Sequence, residues 1–168
     1  MKIRKAILSD IPTIKEIAEK AWRPTYEHIL TEQQTLYMLD LMYNSLTLEN
    51  QIKGNIAFFM VDLEQETVGY FALENIDDKI VKLHKLYLDP TQKQKGLGRK
   101  IIQYIKDWVL TNKSNRIILN VNKHNSAVQF YLKVGFTIIE DLILDIGEGY
   151  VMDDYVMQLH LGSTQSIA

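Results

Sequence analysis

Two glycines separated by one residue, Gly96-Leu97-Gly98, are flanked by Lys93, Lys95, Arg99 and Lys100. They follow a polar loop that leaves the β-rich run Leu86-Tyr-Leu-Asp-Pro90 and open a helical pattern. Glycines let successive backbone N–H groups converge with no side chain in the way, and a helix N-terminus adds its positive end. The chemistry on offer is an anion cradle. It is not a nucleotide P-loop, because Gly98-Arg99-Lys100-Ile101 lacks the Gly-Lys-Ser/Thr ending. A plain tight turn explains the glycines equally well.

A second constellation lies about 25 residues on, in Leu119-Asn-Val-Asn-Lys-His-Asn-Ser-Ala-Val-Gln-Phe-Tyr-Leu-Lys-Val-Gly-Phe136. Tyr131 carries a phenol, which holds its proton at neutral pH and can give it up to a stronger base. Phe130 and Tyr131 also read as core aromatics, and Asn125 as a helix cap. His28, His124 and His160 show no ligand spacing, so no metal is expected.

These residues need elements to position them. Lys2–Ile7 reads as a strand, and Ser9 or Asp10 caps a helix that Pro24 ends. Thr31 begins a second helix with a stripe of Leu36, Leu39 and Tyr43, and a short third piece runs from Leu46 to Lys53. Ala57–Leu63 and Val68–Glu74 flank a polar turn as a hairpin, and Ile80–Leu88 is a strand closed by Asp89-Pro90. After the glycines, Ile101, Ile102, Ile105, Trp108 and Val109 mark one helix face. Arg116–Val121 is strand-like and Ser126–Val134 helical, with Gly135 as its left-handed stop. Phe136–Leu144 and Tyr150–Leu161 form a final antiparallel pair. The fold class is mixed α+β: one central, mostly antiparallel twisted sheet with helices on both faces. Residues 1–161 are expected to make a single domain, and 162–168 to be a flexible tail.

The two motifs together, in this order, resemble those of the GCN5-related N-acetyltransferase (GNAT) family. There a bulged strand leads into Gln/Arg-x-x-Gly-x-Gly/Ala and a helix, and the next strand–helix unit carries an Asn and a Phe-Tyr…Gly-Phe signature. The resemblance spans Ile3 to about Leu161. Lys93 stands where the family has Gln or Arg, and the family's Asn falls at Asn125 or Asn122.

The resemblance implies acetyl transfer from acetyl-CoA to a primary amine by direct attack. It implies strands splayed at the cofactor, with the backbone of Leu86 and Leu88 pairing with the pantetheine arm. Lys93, Lys95, Gly96, Leu97, Gly98 and Arg99 would hold the pyrophosphate, with Asn122 or Asn125 also on the cofactor. Tyr131 matches the general acid that protonates the departing thiolate. The family's carboxylate base falls at Lys82, which cannot act as a carboxylate would. His84, on the same side of the strand, is the base in its place or a packed histidine.

The family binds its acceptor with the first two helices and the last strand pair. Here those hold Trp22, Tyr26, Asp153 and Asp154, aromatic faces and carboxylates that favour a cationic amine. Trp22-Arg-Pro-Thr-Tyr26 is similar to bacterial spermidine/spermine acetyltransferases, which implies a polyamine acceptor. A protein or peptide amino group is the alternative acceptor, and a non-catalytic CoA-binding sensor the alternative function. Dimers are frequent in the family, so a homodimer through the last strand pair is expected.

Composition agrees with that frame. The chain has 168 residues, 19 Lys+Arg against 21 Asp+Glu and no Cys. A net charge of −2 argues against nucleic-acid binding, and the lack of Cys excludes a thiol nucleophile and disulfides. No apolar run reaches the length of a membrane span, and the amino terminus does not read as a signal peptide, so the expected location is cytoplasmic. The charge is also segregated. Seven bases and one acid lie from Lys82 to Lys106, and six acids with no Lys or Arg from Val134 onward.

Overall fold

The structure, a computed structural model, describes residues 1–92 and 94–162. Lys93 and residues 163–168 of the expected tail lie outside the described residues. Seven strands form one sheet in the order β1-β2-β3-β4-β5-β7-β6, mostly antiparallel, as its sequence pattern requires. The chain clusters into two compact units, Met1–Glu74 with His84–Gln94, and Asn75–Leu83 with the chain from Lys95. Strand β4 (Ile80–Leu88) contributes to both.

In the first unit β1 (Lys2–Lys5) pairs antiparallel with β2 (Ile56–Leu63), and β2 with β3 (Glu66–Asn75). Arg4 fixes the entry to the helices. Its guanidinium donates to both carboxylate oxygens of Asp10 at 2.8 and 2.9 Å and to Asp62 at 2.9 Å. Asp10 also accepts the Ile7 N–H, and chiefly the Arg4 guanidinium holds its carboxyl below its ordinary value. Helix α1 (Ile11–Tyr26) buries Ile14, Ile17, Ala18, Ala21 and Trp22 on one face.

Pro24 does not end α1, contrary to the sequence expectation. It lies three residues from the C-terminus, where the missing N–H removes one bond and the helix still closes through Glu27 N–H to Arg23 C=O. Helix α2 (Glu32–Tyr43) starts as expected, with Thr31 accepting the Gln34 N–H. Its buried side is Met38, Leu39 and Tyr43, whereas Leu36 is half exposed. Helix α3 (Ser45–Lys53) is capped by Asn44 and inserts Leu48 into the core.

In the second unit β4 runs parallel to β5 (Arg116–Asn122), in register from Ile80↔Arg116 to Leu83↔Leu119. Helix α4 (Leu97–Thr111) buries Leu97, Ile101, Ile102, Ile105 and Val109 at helical spacing. Helix α5 (Ala127–Lys133) follows β5 and stops at Gly135, whose φ of 103° no branched residue would accept. Strands β6 (Thr137–Gly147) and β7 (Tyr150–His160) pair antiparallel, and Asp154 to His160 of β7 also pair with β5. Strand β6 ends the sheet and is exposed along nearly all its length.

Candidate active site

The glycine turn is built as its sequence demands. Gly96 caps α4 with φ 79°, a left-handed conformation that costs glycine least. Its carbonyl accepts the Lys100 N–H at 3.2 Å, which leaves the N–H groups of Leu97, Gly98 and Arg99 ahead of the first helical bond. Leu97 is buried and pins the turn, while Lys95, Arg99 and Lys100 are exposed around it. Gly98 lies under the Phe130 ring, where a Cβ would stand 3.2 Å from Cζ. This ties the first motif to the second.

Phe130 and Tyr131 stand edge-on with centroids 5.4 Å apart, and Tyr131 meets Phe136 in the same way at 5.4 Å. The Tyr131 ring is therefore held on two sides and is 8% exposed. Asn122 Oδ1 accepts the His124 N–H and Asn125 Oδ1 accepts the Ala127 N–H, so both asparagines shape the turn from β5 into α5. The cap of α5 is Ser126, one residue beyond the expected Asn125, and its side chain makes no capping bond.

On the first unit, Leu86 and Leu88 are half-buried on the same side of β4 as His84. The end of β4 passes very close to β3. A Cβ on Gly69 would lie 2.7 Å from the Tyr87 carbonyl oxygen and 2.5 Å from Leu88 Cδ2. The Asp89 N–H donates to Val68 C=O at 2.8 Å. His84 Nε2 lies 2.6 Å from Oε2 of Glu74, a partner that no local spacing announces. A carboxylate on one ring nitrogen orients the imidazole.

The opposite side of β4 presents Lys85 to the core. Its ammonium lies 3.3 Å from Gln51 Oε1 and over the Tyr43 and Phe58 rings at 5.3 and 5.8 Å. Burial lowers its pKa to about 8. Tyr43, Tyr70 and Tyr87 cluster beside it, and burial pushes each phenol well above its ordinary value. Trp22 and Tyr26 pack on each other with centroids 4.5 Å apart and are 2% and 8% exposed. In this structure they are core aromatics. Beside them the end of α1 and start of α2 frame an open cavity of about 280 Å³, lined by Glu27 and Glu32 with Arg23.

The two adjacent aspartates on β7 differ sharply. Asp153 is bound by Lys123 at 2.7 Å, and the same ammonium takes Asp141 of β6 at 2.8 Å and lies over Tyr155. Asp154 is 2% exposed, and burial raises its pKa to about 6. Among the described residues no group of three His, Asp or Glu side chains could hold a metal ion, and no helix is long and apolar enough to cross a membrane.

Residues 25–148 match the family model described as an acetyltransferase (GNAT) domain. The chain belongs to the GNAT acetyltransferase family. It is 26% identical over 144 residues to the spermidine N(1)-acetyltransferase of Thermoplasma acidophilum, covering 82% of this chain and 89% of that one. The PaiA N-acetyltransferase of the same organism, solved with coenzyme A, superposes with a TM-score of 0.81 at 25% identity, over 95% of this chain and 98% of that one. An N-acetyltransferase structure from Rhodopseudomonas palustris gives the same TM-score at 15% identity over 95% of each chain, a likeness of fold. This GNAT chain keeps the glycine turn and the Phe-Tyr pair in contact through Gly98 and Phe130. The sequence alone missed Glu74, Gly69 and Lys85, each placed by a contact distant along the chain.

Proposed function

We propose that this GNAT N-acetyltransferase moves the acetyl group of acetyl-CoA to a primary amine of a small cationic acceptor of the polyamine class. The observation that carries the cofactor part is the turn at Gly96. Its left-handed geometry and the first-turn N–H groups of α4 form a cradle for an anion, with Lys95 and Arg99 at its rim. Such a turn suits a pyrophosphate, and the bound thioester would supply the acetyl group. The backbone of Leu86 and Leu88 pairs with the pantetheine arm in this reading, and Lys93, Asn122 and Asn125 complete the cofactor contacts.

The chain's own groups have two proton tasks. An alkylammonium has no lone pair, so one group must accept its proton. His84, held by Glu74 at 2.6 Å, takes that task, directly or through a water. The Tyr131 hydroxyl gives a proton to the departing sulfur, its ring fixed by Phe130 and Phe136. Support for a polyamine-class acceptor comes from the spermidine acetyltransferase relative and from the carboxylates of β7 and the α1–α2 cavity. The reaction runs in the cytoplasm, where acetyl-CoA is at hand, and a second copy of the chain pairs with edge strand β6, which exposes Ile139, Ile143 and Leu144.

Incubation of the purified chain with acetyl-CoA and a panel of amines, peptides and polyamines, read by mass spectrometry, tests the proposal. A mass gain of one acetyl group on diamines or polyamines supports it. Acetylation confined to peptides, or tight acetyl-CoA binding without turnover on any amine, overturns it. Size-exclusion chromatography with light scattering checks the dimer, and a monomer at micromolar concentration overturns that part.

A further inference from the structure

Asp154 is a carboxylate that the chain buries without compensating it. The residue is 2% exposed, and no hydrogen bond or ion pair reaches its oxygens among the described residues. Its neighbour Asp153 shows what compensation looks like on the same strand, with Lys123 at 2.7 Å. A buried lone charge is costly unless it is neutralised by a proton or a cation.

The register places it. Asp154 stands opposite Asn122 on β5 and opposite Leu142 on β6, at the end of β5 where α5 begins. Cross-strand partners share a face, so Asp154 and Asn122 point to the same side of the sheet. Lys82 on β4 and Lys123 after β5 act on it as positive charges, and Asp153 as a negative one. Lys123 is already committed to Asp141 and Asp153. Successive residues of a strand face opposite sides, so the Lys123–Asp153 pair lies across the sheet from Asp154. On its own face Asp154 has Lys82 acting at a distance and no ion pair.

We infer that Asp154 is the subsite for a second, non-reacting ammonium group of the acceptor, an inference that rests on the acetyltransferase reading above. The reacting nitrogen is the wrong occupant on physical grounds. An adjacent carboxylate favours the charged form of an amine, which has no lone pair for attack. A second ammonium gains from the same effect, and it relieves the burial that pushes Asp154 up to about 6. The subsite therefore selects acceptors with two cationic nitrogens over acceptors with one.

The test compares 1,5-diaminopentane with 5-amino-1-pentanol, which keeps the reacting amine and replaces the second charge by a hydroxyl. Asp154→Asn in the full chain should raise KM for the diamine at least tenfold. It should leave KM for the amino alcohol and the Kd of acetyl-CoA within twofold. An unchanged ratio of the two KM values, or an equal rise in both, overturns the assignment. Should the variant fail to fold, carboxyl ¹³C NMR of the wild-type chain decides. The Asp154 midpoint should fall by about one pH unit with the diamine and stay put with the amino alcohol; a midpoint that ignores the diamine overturns the subsite. Because that measurement needs no turnover, a chain that acetylates no amine would sink the enzymatic reading while the subsite was still decided.

Discussion

Gly98 and Phe130 meet so closely that a Cβ on the glycine would stand 3.2 Å from Cζ of the ring. The two residues belong to separate sequence motifs, one opening α4 and the other on α5. Their contact fixes where the N-terminus of α4 sits relative to the end of β5. The absence of a side chain at position 98 therefore leaves room for the Phe130 ring.

Gly98→Ala should weaken acetyl-CoA binding by roughly tenfold, because the ring must give by a few tenths of an ångström or the helix start must move. Isothermal titration measures it. Phe130→Leu in the same chain removes the obstructing ring edge, so the double variant should recover most of the lost affinity. Purely additive losses would show that the two residues are not coupled.

Gly69→Ala tests the close passage of β4 past β3. Its Cβ would lie 2.7 Å from a backbone carbonyl, which cannot rotate away as the Leu88 side chain can. Overpacking of this kind costs about 1–3 kcal/mol. Urea unfolding should show a lower midpoint with an unchanged slope, and wild-type stability would mean that β4 shifts without penalty.

The local devices were legible in the sequence. Thr31, Gly96 and Gly135 each declare a turn or cap through their own chemistry, and the structure has all three. So were the strands, read from runs of β-forming residues bounded by polar turns. Features set by distant partners were not. Pro24 reads as a stop only if the helix has far to run beyond it. Leu36 looks like Leu39 in the sequence, and only the packing of α2 tells the buried one from the exposed one. Asp153 and Asp154 are identical in type and adjacent, yet Lys123 binds one and the sheet buries the other.

The proton roles separate in kinetics. Tyr131→Phe keeps the ring stack and removes the hydroxyl, so kcat should fall about 100-fold while the Kd of acetyl-CoA stays within twofold. Unchanged kcat would return Tyr131 to a packing role. Glu74→Gln keeps the shape and removes the charge that faces His84 Nε2. It should lower kcat by about tenfold, and His84→Ala should abolish the acidic limb of the kcat/KM profile. A profile identical to wild type in both variants would exclude the pair.

Lys85 carries the last expectation, one of stability against pH. Its pKa falls from 10.5 to about 8 because burial penalises the ammonium. The unfolded chain therefore binds the extra proton between those values, and stability rises with pH across that window. The contribution is fully present above 10.5 and lost as pH falls through about 8. At neutral pH the folded chain carries a charged lysine whose nearest polar partner is Gln51, at 3.3 Å. Lys85→Met preserves the length of the side chain and its contact with the Tyr43 and Phe58 rings. At pH 7 it should stabilise the fold by about 1 kcal/mol, a rise in Tm of roughly 2–4 °C. The gain should shrink towards pH 10 as the wild-type lysine loses its proton in the folded state. Calorimetry at the two pH values reads this directly, and a destabilisation that is the same at both would show that the Lys85–Gln51 bond outweighs the cost of burying the charge.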